Sequence, residues 1–375
     1  MRFSSVIVLA SALALQLPSS VSAAPQLVRT LPNRMTLLVR ENRTRPLVSI
    51  QVWVKAGSRD EQLQERGVST VLARALFAGT KNRDQNKIAE ELNRYGGSSG
   101  SEAGYAYTLL QVTVPARSFG LGLDVLSDVV LHPRFATRDV TQAVDLAKTE
   151  SGNLLKAAER ASINPTREAL HPGTPLAWPL AVPPLELGTV TQSILDRFYK
   201  SYYVAENMMV VVVGDVDPED VARRVELAFQ DAPKGKAPTR ARIIEKPLAG
   251  PQVRLLANFG DTEGTALTVG FRAPAWGTAD ALALDVLMAL LVESPSSRAQ
   301  KRMIEKGGEF VVAAAHRAFE ADGGTVTVSV RAQPERMRDA EDALFALIEQ
   351  SRSTPVTQEE LDAAVASVLA RDLYS

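Results

Sequence analysis

The feature that most limits the fold is a pattern used twice. Leu47 to Gly57 (LVSIQVWVKAG) sets apolar residues at Val48, Ile50, Val52 and Val54, the two-residue period of a half-buried strand. Thr265 to Pro274 (TALTVGFRAP) repeats it with Leu267, Val269 and Phe271. A helix-like stretch follows each strand, Gly67 to Gly79 and Ala281 to Leu291. Each half then offers a glycine pair, Gly96-Gly97 and Gly307-Gly308, and two more strand-like runs, clearest in Tyr105 to Val114 and Gly324 to Val330. An amphipathic helix comes next, Phe119 to Val130 matching Met337 to Ile348, and Asp139 to Glu150 matches Glu359 to Ala370. The chain is therefore read as two α+β domains, each a mostly antiparallel sheet packed with helices. They span 24–230 and 252–375, joined by the Pro-containing linker 231–251. The first unit runs on through a helix, Ile194 to Tyr203, and a strand, Asn207 to Gly214 (NMMVVVVG), whereas the second stops at Ser375. An incomplete second domain is the expectation.

Residues 1–23 read as a secretory leader. Arg2 supplies the positive start, Val6 to Leu17 is an apolar run broken only by Ser11 and Gln16, and Val21-Ser22-Ala23 supplies small residues for cleavage. The run is too short to span a bilayer comfortably, and no later segment is apolar enough to do so. A mature chain starting at Ala24 is expected in a bacterial periplasm or outside the cell. The chain has no cysteine, so disulfides, thiolate metal ligands and a Cys nucleophile are excluded. A net charge of −1, with basic residues scattered, offers nothing to nucleic acid or an anionic membrane.

Six stretches carry a resemblance. Leu31 to Thr80 contains LPNRMTLLV, VSIQVWVKAGSRDE and GVSTVLARALFAGT; Ile88 to Gly97 follows, then Asp124 to Phe135 (DVLSDVVLHPRF) and Phe198 to Asp217 (FYKSYYVAENMMVVVVGDVD). In order and spacing they resemble the pitrilysin/insulinase zinc metallopeptidases, over most of Leu27 to about Ala370. In that family a His-x-x-Glu-His helix binds zinc through two imidazoles, its Glu activates the metal-bound water, and a distal Glu completes the ligand set. The resemblance places these positions at Thr70, Ala73, Arg74 and Glu150, with an accessory carboxylate position at Ala143. Only Glu150 retains a ligand. Arg74 has no lone pair to offer and would repel a cation, and Ala73 has no base. Zinc is the cofactor of active relatives, and none is expected here.

If Arg74 and Glu150 hold neighbouring ligand positions, they should face each other as an ion pair. Glu150 as an ordinary exposed helix residue is the alternative. No rescue is in view, because His132, His171 and His316 show no paired ligand spacing. Ser98-Ser99 and Ser296-Ser297 lack the strand–turn–helix setting of a hydrolase serine. The family's substrate-pairing strand falls on GGSSGSEAGY, with Gly100 and Ser101 at its Asn-Ala positions. In the second half RMIEKGGEFVV puts Phe310 where relatives carry Tyr, and Arg302 near their Arg but out of register. Three readings follow. The chain is the inactive partner subunit of a zinc-binding homologue, a stand-alone module holding extended peptides or an envelope protein, or a zinc peptidase after all.

Overall fold

The computed structural model describes residues 26–179, 181–255, 265–305 and 312–374. The expected leader, the second glycine pair and Phe310 lie outside them, as does the side chain of Arg302. The first domain is built on six strands: β1 (Gln26–Thr30), β2 (Thr36–Glu41), β3 (Leu47–Val54), β4 (Ser98–Ala103), β5 (Thr108–Pro115) and β6 (Met208–Gly214). Their order across the sheet is β1-β2-β6-β3-β5-β4, antiparallel except for the parallel β2–β6 pair.

Alternation decides which face is covered. Val48, Ile50, Val52 and Val54 of β3, Leu110, Val112 and Val114 of β5, and Val210 and Val212 of β6 are fully buried on one face. Each such side chain contributes about 1.5–3 kcal/mol by leaving water. The face is packed by α1 (Val68–Ala78), α2 (Gln85–Arg94), α3 (Phe119–Leu131) and α4 (Thr137–Leu155); the short α5 (Ala158–Ala161) and α6 (Ile163–Leu170) lie instead against the strand Thr265–Ala273 of the second domain, and a single turn α7 (Pro184–Leu187), α8 (Gln192–Tyr202) and α9 (Pro218–Ala228) complete the cover of the first sheet. Local chemistry sets several starts: Asp84, Thr191 and Asp217 cap α2, α8 and α9 through their side chains. The strand-like run at Tyr105 is shorter than its sequence suggests. Gly104 N–H bonds Tyr107 C=O at 2.8 Å, which puts Tyr105 in the hairpin turn and starts β5 at Thr108.

The second domain repeats the plan with three strands, β7 (Thr265–Ala273), β8 (Val312–Glu320) and β9 (Gly323–Ala332), ordered β7-β9-β8 and all antiparallel. Helices α10 (Ala279–Met288), α11 (Arg298–Glu305), α12 (Met337–Ser353) and α13 (Gln358–Tyr374) accompany them, and Ala289–Glu293 extends α10 as one wider turn. Phe271, grouped by alternation with Leu267 and Val269, is instead 48% exposed near the end of β7.

The central strand β9 is buried on both faces for different reasons. Val326, Val328 and Val330 enter the second domain's own apolar core. Thr325 and Ser329 turn toward the first domain: Thr325 Oγ1 lies 2.8 Å from His171 Nε2, and Ser329 Oγ reaches Ser162 of the first domain through Thr268. The two apolar cores stay separate, one drawn from residues up to Ala232 and the other from Ala273 onward. Polar contacts thus join the domains. The linker follows suit, with Arg240 clamped on Asp60 at 2.7 and 2.9 Å and Glu245 on His171 Nδ1 at 2.5 Å.

Candidate functional site

Helix α1 is fixed at its start by a carboxylate. Gly67 sits before it at φ +90°, and a side chain there would come within 2.6 Å of Leu187. Glu61 accepts hydrogen bonds from Gly67 N–H at 2.8 Å, Ser69 N–H at 2.9 Å and the Ser69 hydroxyl at 2.5 Å. These satisfy donors that a helix start leaves unpaired, and the negative group suits the positive end of the helix dipole. Burial nonetheless pushes the Glu61 carboxyl up to about 7, against the pull of those three hydrogen bonds.

Most of α1 is buried: Val71, Leu72, Ala73, Ala75 and Leu76 are fully enclosed. Thr70, Arg74 and Phe77 are the half-exposed residues, spaced four and three apart along one stripe. Helix α4 meets α1 through Ala143 and Ala147, 2% and 1% exposed, and Glu150 continues the same face. Small residues there let the two helices approach closely. Across that contact Arg74 Nε and Nη2 each lie 3.0 Å from Glu150 Oε2.

The same guanidinium reaches a third element. Its Nη1 donates to the Ser101 carbonyl at 2.5 Å and to the Ser101 hydroxyl at 2.9 Å. One side chain therefore ties α1, α4 and β4 together, using the fixed fork that lysine lacks. The Arg74 side chain is 24% exposed and that of Glu150 42%, so the pair is partly solvated.

The donor chemistry does not fit zinc. A threonine hydroxyl at 70, methyl groups at 73 and 143 and a guanidinium at 74 leave Glu150 as the single strong ligand, whereas a zinc site takes three or four nitrogen, sulfur or carboxylate donors. Ala73 is fully buried, so position 73 presents no group to a water molecule. Among the described residues no three of His, Cys, Asp and Glu converge as a metal donor set.

The other singled-out residues are dispersed. Gly100 lies on β4 opposite Gln111, next to Ser101. Arg302 falls within α11. His132 ends α3 beside Asp128, His171 ends α6 wholly buried, and His316 stands on β8 opposite Thr327. Desolvation pulls His171 and His316 below the ordinary histidine value, His316 to about 4. Ser297 is buried and bonds Val292 C=O.

Three contacts of this region carry no local sequence signal. The Ser101 tie and the Glu61 anchor depend on tertiary placement. So does the His171 junction, whose partners lie 74 and 154 residues away.

Comparison with known proteins gives a consistent picture. The family model described as "Insulinase (Peptidase family M16)" matches residues 36–183, and that described as "Peptidase M16 inactive domain" matches residues 189–368. The chain is 24% identical over 273 residues to a probable mitochondrial-processing peptidase subunit beta of Arabidopsis thaliana, covering 72% of this chain and 51% of the relative. It is 28% identical over 323 residues to an uncharacterized zinc protease of Mycobacterium tuberculosis, covering 85% and 73%. This chain thus spans about half the length of the plant relative. In three dimensions it superposes on the M16 inactive domain from Pseudomonas fluorescens with a TM-score of 0.79 at 16% identity, covering 92% of this chain and 83% of that one. A protease from Helicobacter pylori gives the same TM-score at 19% identity, covering 94% and 86%.

Proposed function

Since this chain belongs to the insulinase family of peptidases, family M16, we propose that it is a non-catalytic homologue serving as the inactive partner subunit of a zinc-holding relative. One observation carries the reading: the guanidinium of Arg74, the position to which the resemblance assigns the second imidazole, is bonded to Glu150, the position to which it assigns the distal ligand. A permanent cation there excludes a second one by charge as well as by lack of a lone pair. The framework around it, from the capped α1 to the β4 edge, is retained. Two relatives named as processing-peptidase beta subunits support a multi-chain setting, while others named zinc proteases pull toward activity. The leader-like composition of residues 1–23 supports a subunit located outside the cytoplasm, which cell fractionation checks. Among the described residues no helix is long and apolar enough to cross a membrane.

The test has two arms. Purified chain should carry no stoichiometric zinc by elemental analysis and show no chelator-sensitive peptide cleavage. Mixed with a His-x-x-Glu-His homologue from the same cell, it should co-elute as a complex and raise that homologue's activity. Stoichiometric zinc with chelator-sensitive cleavage would overturn the non-catalytic reading. A chain that stays monomeric beside every such homologue would overturn the partner role.

A further inference from the structure

Strand β4 is an outer strand of the six-stranded sheet. In an antiparallel ladder, alternate residues turn their N–H and C=O toward the neighbouring strand and away from it. The phase is set by the turn, where Gly104 N–H bonds Tyr107 C=O. Counting back from that bonded pair, Glu102 and Gly100 bond β5, while Ala103, Ser101 and Ser99 point their backbone groups outward. Ser101 C=O is therefore the middle acceptor of the open edge. It is the acceptor that Arg74 Nη1 occupies at 2.5 Å, reinforced by the bond to the Ser101 hydroxyl.

An extended peptide joining an edge draws its affinity from main-chain hydrogen bonds. A peptide laid along β4 would need Ser101 C=O for its own N–H. It would have to evict a charged donor that Glu150 holds from the other side. Exposed edges are a hazard that proteins blunt with charge, and here the charge is anchored by two elements. We propose that Arg74 is an internal edge guard: it occupies the central acceptor of β4 and keeps extended peptides from adding to this sheet. The residue that replaces a metal ligand thereby also closes the peptide-pairing edge beside it. This deepens the non-catalytic reading and disfavours a peptide-holding module at the same site.

The experiment measures binding of a fluorescein-labelled, end-blocked peptide, Lys-Val-Thr-Val-Thr-Val-Lys, by fluorescence anisotropy. A version with alternate amides N-methylated serves as the control. The full-length chain should bind the two versions alike and weakly. Arg74→Ala should bind the unmethylated peptide at least about tenfold more tightly, the factor for one charge-assisted hydrogen bond no longer to be broken. Arg74→Met keeps the length of the side chain without a donor and should behave the same way, which guards against misfolding of the alanine variant. Glu150→Ala leaves the Ser101 bonds in place and should still refuse the peptide. Equal affinity of wild type and both Arg74 variants, or no binding by either variant, would overturn the guard. Co-elution with a zinc-holding homologue is read separately, so the partner role can fail or stand without it.

Discussion

Replacing Arg74 should cost far more stability than replacing Glu150, although the two form one ion pair. The Glu150 side chain is 42% exposed. A pair that solvated contributes under about 1 kcal/mol, so Glu150→Ala should cost no more than that. Arg74 also donates to Ser101 twice. Hydrogen bonds to charged groups are worth about 1.5–3 kcal/mol; taking the lower value for each of the two bonds of this partly exposed guanidinium puts Arg74→Ala at about 3–4 kcal/mol once the Glu150 share is included. Ser101→Ala removes only the hydroxyl bond and should cost about 1.5 kcal/mol, the lower value for one such bond. Urea unfolding followed by tryptophan fluorescence can measure this, because Trp53 and Trp178 belong to the first domain and Trp276 to the second. A double-mutant cycle then isolates the ion pair. Equal losses for the two single variants, or a coupling energy above about 1.5 kcal/mol, would refute the assignment of the strut's strength to β4.

Further outcomes follow from other parts of the molecule. Thr70→His with Arg74→His sets two imidazoles four residues apart on the α1 stripe facing Glu150, and should bind one zinc per chain by elemental analysis. A folded double variant that retains no zinc would refute the placement of the site. Glu61→Ala strands the buried Gly67 and Ser69 N–H groups and should destabilise the first domain by about 3 kcal/mol in the same urea experiment. A loss under about 1 kcal/mol would show that water replaces the carboxylate. Burial raises Glu61 and Glu320 from 4.5 to about 7, so the folded state holds their protons more tightly than the unfolded chain does. Their stabilisation is complete below about pH 4.5 and is lost as pH rises through about 7. Glu320→Gln should flatten that fall in a pH series of thermal unfolding, and an unchanged slope would refute the attribution. Gly214→Ala would put a methyl carbon 2.2 Å from Leu47 C=O at φ +149°, and should cost at least about 2 kcal/mol by urea unfolding; a near-neutral result would refute the close approach of β6 to β3.

Much of the first domain was legible in the chain because its strands alternate cleanly. Val48 through Val54 and Met208 through Gly214 each bury every second residue, and side-chain parity alone predicts that. The alternating pattern extends to Tyr105 although the strand starts at Thr108, because a hairpin turn closed by backbone bonds leaves little trace in side-chain pattern. Phe271 shares the alternation of Leu267 and Val269 yet is exposed, because alternation specifies a face without saying how far the covering layer extends. The meeting of Arg74 and Glu150 was readable through helical spacing and the resemblance together. The Ser101 carbonyl was not, since a backbone acceptor carries no residue identity.

What the amino-acid sequence determined by itself is which donors these positions can offer. Donor ability belongs to the residue type, so a guanidinium at 74 and methyl groups at 73 and 143 supply no zinc ligand wherever they lie. What only the tertiary structure decided is what that guanidinium does instead. Its bonds to Ser101, the Glu61 anchor and the polar seam from His171 to Thr325 join residues far apart in the chain. Such contacts depend on direction and on distances set by the packing of whole elements, which local spacing along a sequence does not encode.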